Sequence, residues 1–347
     1  MPYCPRCGKE VSEDARFCPD CGASLRVSRR ARERRLPSLG ILLIVLIVSA
    51  VIVVTVGFAP VRTVDKSWTH SASLSTGVDT FVLDFTADVC HVRASFEDLA
   101  DKLVILDSWA TARAGLFVSP DFLERFRPFS TLAIEGNVLT ATVRQEIDAV
   151  DLQSLNVTCR IRIDPSLNAT LNIVTKTGGI RLDTMAGVIL NSVSLEATTG
   201  GVSARLVEDV VVSGDVSVMT TTGGVELSWD NVIITEDVLV SAVTTTGGVD
   251  VSVRQNREQL WNVTVEAEAT TGGVDFAIDV RGDVGAKIDS SVTTGGIDVE
   301  SQVGFSLVYS YPERAGLISD NHPARSNFNV GLKTTTGGIR IDATYIP

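Results

Sequence analysis

Histidine is nearly absent from this chain: His70, His91 and His322 are the only three among 347 residues. Histidine-assisted nucleophiles and histidine-bound catalytic metals therefore have little to draw on. No G-x-S-x-G, H-E-x-x-H or phosphate-binding glycine loop occurs either. The sequence predicts a protein that is not an enzyme. Aromatic residues are also scarce, at 6%, while Val, Thr and Gly are plentiful, a bias towards strands and turns. Charge is missing altogether from Leu36 to Val61. That gap separates a basic start from an acidic remainder: residues 1–35 hold nine Lys/Arg against five Asp/Glu, and the rest 21 against 37. So acidic a main body argues against nucleic acid as its partner.

The uncharged block contains LGILLIVLIVSAVIVVTVGFA, Leu39 to Ala59, with Ser49 and Thr55 as its only polar side chains. A helix of about 20 apolar residues crosses a bilayer core, so 39–59 is expected to be a single transmembrane helix. A cleaved signal peptide would have a shorter apolar region, and Pro60 directly after Ala59 would obstruct cleavage. Arg26, Arg29, Arg30, Arg32, Arg34 and Arg35 crowd the linker 26–38 before the span. Basic residues stay on the cytoplasmic side, which places the N-terminus in the cytosol and the C-terminal domain outside. The expected organisation is a ribbon over 1–25, the basic linker, the span, a second linker over 60–73 and a main domain over 74–347.

Four of the six cysteines lie at the start. Cys4, Cys7, Cys18 and Cys21 have the spacing C-x2-C-x10-C-x2-C, each pair followed by glycine, at Gly8 and Gly22. Two such knuckles bring four thiolates onto one tetrahedral zinc, and metal binding supplies folding free energy that so small a core cannot. With every ligand a cysteine, no position is open for water, so the zinc is expected to be structural. YCPRCG and FCPDCG resemble the short zinc-ribbon family found at the N-termini of many prokaryotic membrane proteins, and the resemblance covers residues 3–25. A closed structural site leaves contact with another protein or a second copy of itself as its expected job, and the basic flank places it in the cytosol.

The remaining signal is repetition. Gly-Gly pairs, most preceded by threonines, start at 178, 200, 223, 247, 272, 295 and 337, with spacings of 22, 23, 24, 25, 23 and 42. Apolar alternation changes phase across each pair: Trp261, Val263, Val265, Ala267 and Ala269 precede one, and Val274, Phe276, Ile278 and Val280 follow it. A straight strand would turn its inner face outward at that slip, so the chain must bend there. Each repeat then reads as strand, corner, strand, and stacking them predicts a parallel β-helix, or β-solenoid. An antiparallel sandwich of hairpins is the rival architecture. Segment 95–130 is the expected place for helix or loop, capping the stack.

IRIDPSLNATLNIVTKTGGIRLD and the TTGG series after it resemble the adhesin-like families of β-strand repeats, over roughly 74–347. That resemblance implies a β-helical domain at the cell surface without catalysis.

Two residues past the glycines stand Glu226, Asp250, Asp275 and Asp298. Stacking would bring these carboxylates into one column, where neighbours about 4.8 Å apart repel. The column is either a solvated acidic face or a site for a divalent cation, for which Ca2+ suits the oxygen ligands. Cys90 and Cys159 fall outside the membrane on the expected topology and either form a disulfide or remain buried thiols. The long insert after Gly296 offers Tyr309, Tyr311, Arg314 and His322 as contact candidates. Taken together, the sequence points to a single-pass membrane protein that displays an adhesin-like β domain for adhesion or envelope organisation. Its expected partners are the bilayer, a cytosolic protein at the ribbon and an extracellular surface or envelope component. The alternative is a membrane-anchored signalling component of an envelope-stress type of system.

Overall fold

The computed structural model describes residues 2–25, 62–73, 75, 77–114, 120–147 and 155–347. The chain divides into two units, Met1–Ala59 and Pro60–Pro347.

In the second unit the strands build two large mixed sheets, one of 11 strands and one of 14. Each repeat gives one strand to each sheet, joined at the glycine corner, and such a pair is here called a tier. Val216–Thr222 and Val225–Asp230 form one tier, Val238–Thr246 and Val249–Gln255 the next. Neighbouring tiers run parallel and in register, with Val218 opposite Ala242 and Leu227 opposite Val251. The phase change seen in the sequence is realised as a change of wall. Val216, Val218 and Thr220 point inward before the corner, and Val225, Leu227 and Trp229 after it. Burying each large apolar side chain contributes roughly 1.5–3 kcal/mol relative to exposure.

The corner needs glycine at its first position. Gly223 has φ +149°, and a Cβ there would collide with the carbonyl of Gly200 on the neighbouring tier. With no side chain in the way, backbone pairing continues through the bend: Gly223 N–H donates to Thr246 O at 2.9 Å, and Val225 N–H to Gly248 O at 2.9 Å.

The predicted closed β-solenoid is corrected by the strand order. No closed, one-directional solenoid forms, because tier order departs from chain order at both ends of the sheets. At one end Thr80–Val89 lies between Val138–Gln145 and Asn168–Thr177, and His91–Phe96 lies between Leu155–Ile163 and Ile180–Asp183. At the other end the C-terminal strands enter between earlier ones. Ser326–Thr336 separates Val263–Thr271 from Val284–Thr294, and Ile339–Ile346 separates Val274–Arg281 from Ile297–Val303. The irregular spacing of 42 has its origin here: the chain makes an outer tier, then a hairpin of Phe305–Tyr311 and Arg314–Ser319, and returns inward.

Antiparallel pairs at the ends make the sheets mixed. Lys102–Ala114 runs antiparallel to both Arg62–Ser73 and Leu155–Ile163, and Arg314–Ser319 runs antiparallel to Val284–Thr294. Segment 95–130, expected as helix or loop, thus contains a 13-residue strand as well as the short 3-10 helix Pro120–Phe126. The edge strands Ile297–Val303 and Phe305–Tyr311 each carry a bulge, at Glu300 and at Val308, which blunts them against further strand addition. Among the described residues no helix is long and apolar enough to cross a membrane. The span expected at Leu39–Ala59 lies outside the described residues.

Candidate functional site: a four-cysteine centre and an acidic file

Residues 2–25 of the first unit are built twice over on one plan. Cys4 N–H donates to Lys9 O (2.8 Å) and Gly8 N–H to Cys4 O (2.9 Å), while Cys18 N–H donates to Ala23 O (2.9 Å) and Gly22 N–H to Cys18 O (2.9 Å). Gly8 and Gly22 have φ of +71° and +68°, the left-handed conformation that closes each knuckle. Antiparallel bridges Tyr3–Glu10 and Phe17–Ser24 fix the two arms. Among the described residues of this unit only Cys4, Val11 and Cys18 are buried hydrophobics, with Cys21, Ala23 and Leu25 against them. So small a core leaves the sulfurs to organise the fold.

The four Sγ atoms all lie within 4.8 Å of one another. Cys4 and Cys21 approach to 3.6 Å, as do Cys7 and Cys18. Zinc–sulfur bonds of about 2.3 Å in a tetrahedron place sulfurs about 3.8 Å apart, so the donor set fits zinc. The thiols cannot all ionise unaided. The Arg6 backbone N–H holds Cys4 down to about 6. At Cys7 the Lys9 N–H pulls the same way, yet the Cys21 and Cys18 sulfurs push it up to about 12. A bound dication removes that conflict. With four thiolate ligands, zinc would crosslink the two knuckles and take no part in a reaction. Tyr3 and Phe17, each directly before a knuckle, are 64% and 63% exposed.

In the second unit the acidic file assembles only in part. Glu226 pairs with Asp250, and Asp250 with Asp275. The inserted C-terminal tier then places Arg340 between Asp275 and Asp298. Arg340 reaches Glu300 at 3.1 Å and Asp275 at 3.8 Å. Asp298 is therefore separated from the other three. Partial burial raises the Asp250 carboxyl, and the charges of Asp275 and Glu226 raise it further. Among the described residues the four cysteines alone form a group tight enough for a metal. Calcium has no support from this geometry, and the file is a solvated face carrying residual repulsion.

Cys90 and Cys159 are both buried and both free thiols. Burial pushes the Cys90 thiol up, as does the adjacent Cys159 sulfur. In the insert, Tyr309 donates to Asp289 at 2.8 Å and stacks on Tyr311 with ring centroids 6.3 Å apart. His322 is tucked in, with both ring nitrogens buried.

Two further surface features stand on the β unit. The corner threonines Thr177, Thr199, Thr222, Thr246, Thr271, Thr336 and Thr294 pair in one file, all exposed. Two residues before the corner threonine the side chain turns inward, and where it is itself threonine, at Thr175, Thr220, Thr244 and Thr334, it is buried. Trp261, inward by alternation, is 43% exposed. Its loop holds one residue more than the equivalent stretch of the preceding tier, since Asp230 pairs with Arg254 but Val238 with Val263.

Residues 3–25 match the model of the zinc-ribbon domain. No curated protein matches the chain. Among solved structures, a candidate cell adhesion protein from Clostridium sporogenes is similar at 13% identity and a TM-score of 0.37, over 80% of this chain and 99% of that one. A candidate adhesin from Bacteroides fragilis is similar at 10% identity and a TM-score of 0.31, over 81% and 97%. A candidate lipid-binding protein from Parabacteroides distasonis is similar at 11% identity and a TM-score of 0.31, over 82% and 96%.

Proposed function

We propose that the chain is anchored in a membrane by its apolar run Leu39–Ala59 and displays the β unit outside the cell as a contact surface for adhesion or envelope organisation. The zinc-loaded ribbon then docks a protein in the cytosol. The observation that carries the display reading is the exposed threonine file, seven residues in unbroken register that continues across the inserted C-terminal tier. A rigid, repeating, solvent-facing row suits an extended contact better than chemistry at one point. For the ribbon, the support is the pair of exposed rings Tyr3 and Phe17 beside a closed four-thiolate site. Basic residues 26–35 before the run set the orientation.

Deleting residues 62–347 from the producing cell is expected to reduce its attachment, and external protease is expected to cut the β unit on intact cells. Unchanged attachment sinks the adhesion reading; a β unit reached only after lysis sinks the topology. Pull-down with residues 1–35, zinc-loaded against chelated, is expected to capture a partner only with zinc. Capture of a transcriptional regulator there would move the reading to signalling.

A further inference from the structure

The outward side of the 14-stranded sheet carries an apolar patch that the core does not use. Leu260 and Trp261 are 64% and 43% exposed, and Ile233 and Leu239 beside them 38% and 37%. Loop 256–262 holds the pair out on a rigid frame. Asn256 N–H donates to Asn231 Oδ1 at 2.8 Å, Gln259 Nε2 to Val232 O at 2.5 Å, and Asn262 N–H to Asp237 Oδ1 at 2.8 Å. Start, middle and end of the loop are thereby tied to the preceding tier, alongside the segment bearing Ile233 and Leu239. A tryptophan presented on fixed backbone next to aliphatic side chains loses little entropy when covered, which is what makes such residues anchors in interfaces.

The rim is predominantly acidic. Asp215, Glu236, Asp237 and Glu258 are all exposed around the patch. Asp215 accepts from the Leu239 N–H at 3.1 Å and Asp237 from Asn262, contacts that fix the carboxylates without neutralising them. Arg257 is engaged by Glu208 and Asp209. Arg325 lies on the next tier, two residues before Asn327, whose N–H donates to Asn262 Oδ1 at 3.0 Å. The rim thus sets four carboxylates against one guanidinium.

That charge selects the occupant. A second copy would bring the same carboxylates to the contact, and an anionic lipid surface would repel them. A segment offering both cations and apolar side chains gains on both counts. We infer that the Leu260–Trp261 patch is a docking surface for a protein segment that interleaves basic and apolar residues. The assignment does not depend on which side of a membrane the β unit stands, so its failure would leave the display reading untouched.

The test uses the full chain in non-ionic detergent and a fluorescein-labelled peptide of alternating Lys and Leu, with detergent alone as blank. Anisotropy is expected to show saturable binding that weakens with salt, while the Asp/Leu counterpart does not bind. Leu260→Ser with Trp261→Ser is expected to weaken binding by at least about tenfold. Glu236→Gln with Glu258→Gln, both on exposed positions, should weaken it several-fold while the circular dichroism spectrum stays unchanged. Equal binding of the acidic peptide, or insensitivity to the Leu260/Trp261 change, overturns the assignment. So does self-association lost in the Leu260/Trp261 variant, which would make the occupant a second copy. Capture by anionic phosphatidylglycerol vesicles, lost in the same variant, would make it a membrane.

Discussion

The hydroxyl of Thr220 donates to the carbonyl of Gly200, one tier away, at 2.8 Å. Thr244 makes the same bond to Gly223 at 3.0 Å, and Thr334 to Gly272 at 2.9 Å. The innermost threonine of the corner thus satisfies a glycine carbonyl on the neighbouring tier, and the outer threonines are left to solvent.

This division of labour is testable. Thr220→Val keeps shape but removes the donor, and is expected to cost about 1 kcal/mol through the orphaned carbonyl. Thr221→Val, on the exposed neighbour, is expected to change stability little. Urea unfolding midpoints of the two variants should therefore separate.

The paired glycines differ as sharply. At Gly223 an added Cβ meets the Gly200 carbonyl at a φ of +149°, whereas at Gly224 the nearest atom, Gly248 O, lies at 3.7 Å. Gly223→Ala is expected to destabilise by roughly 3 kcal/mol or more, the sum of backbone strain and overpacking. Gly224→Ala should be close to neutral. Thermal denaturation of both variants checks the asymmetry.

A different signature is expected from Asp250. Its carboxyl is raised by burial and by Asp275 and Glu226, so ionising it costs more in the fold than in the free chain. The stability it contributes is complete below the ordinary carboxylate range and is lost as pH rises through the folded value. Asp250→Asn should therefore raise the melting temperature at pH 7, and the gain should vanish near pH 3. Added salt should shrink the gain by screening Glu226 and Asp275.

Zinc removal should act on one unit alone. Chelation is expected to abolish the ordered signals of residues 3–25 in NMR spectra while the melting of the β unit stays unchanged. Cobalt substitution should give the absorption of a tetrahedral four-thiolate site, and Cys18→Ser should lose it.

The ribbon and the glycine corners were legible because their signals are local: knuckle spacing in one case, a phase change within ten residues in the other. The tier order was not, because it is set by contacts between segments far apart in the chain. Nothing near Asp298 announces that Arg340, 42 residues later, will stand between it and Asp275. The calcium column was drawn on the assumption that chain order is stacking order, and the inserted arginine undoes it. Trp261 was misplaced for the opposite reason, a purely local one. A single extra residue in its loop shifts the ring off the inward face, and periodicity read from the following strand cannot register that.

Insertion of the C-terminal tier also decides when the β unit becomes complete. Residues 326–347 supply the surface on which the tier at 284–303 rests, so that tier has no seat until the last part of the chain has been made. A chain ending after Ser319 would not be one tier shorter at its tip. It would lack an interior layer, leaving two parallel edges of unpaired backbone facing each other across the gap. Late nonsense or frameshift changes should thus be far more damaging than the small fraction of sequence they remove.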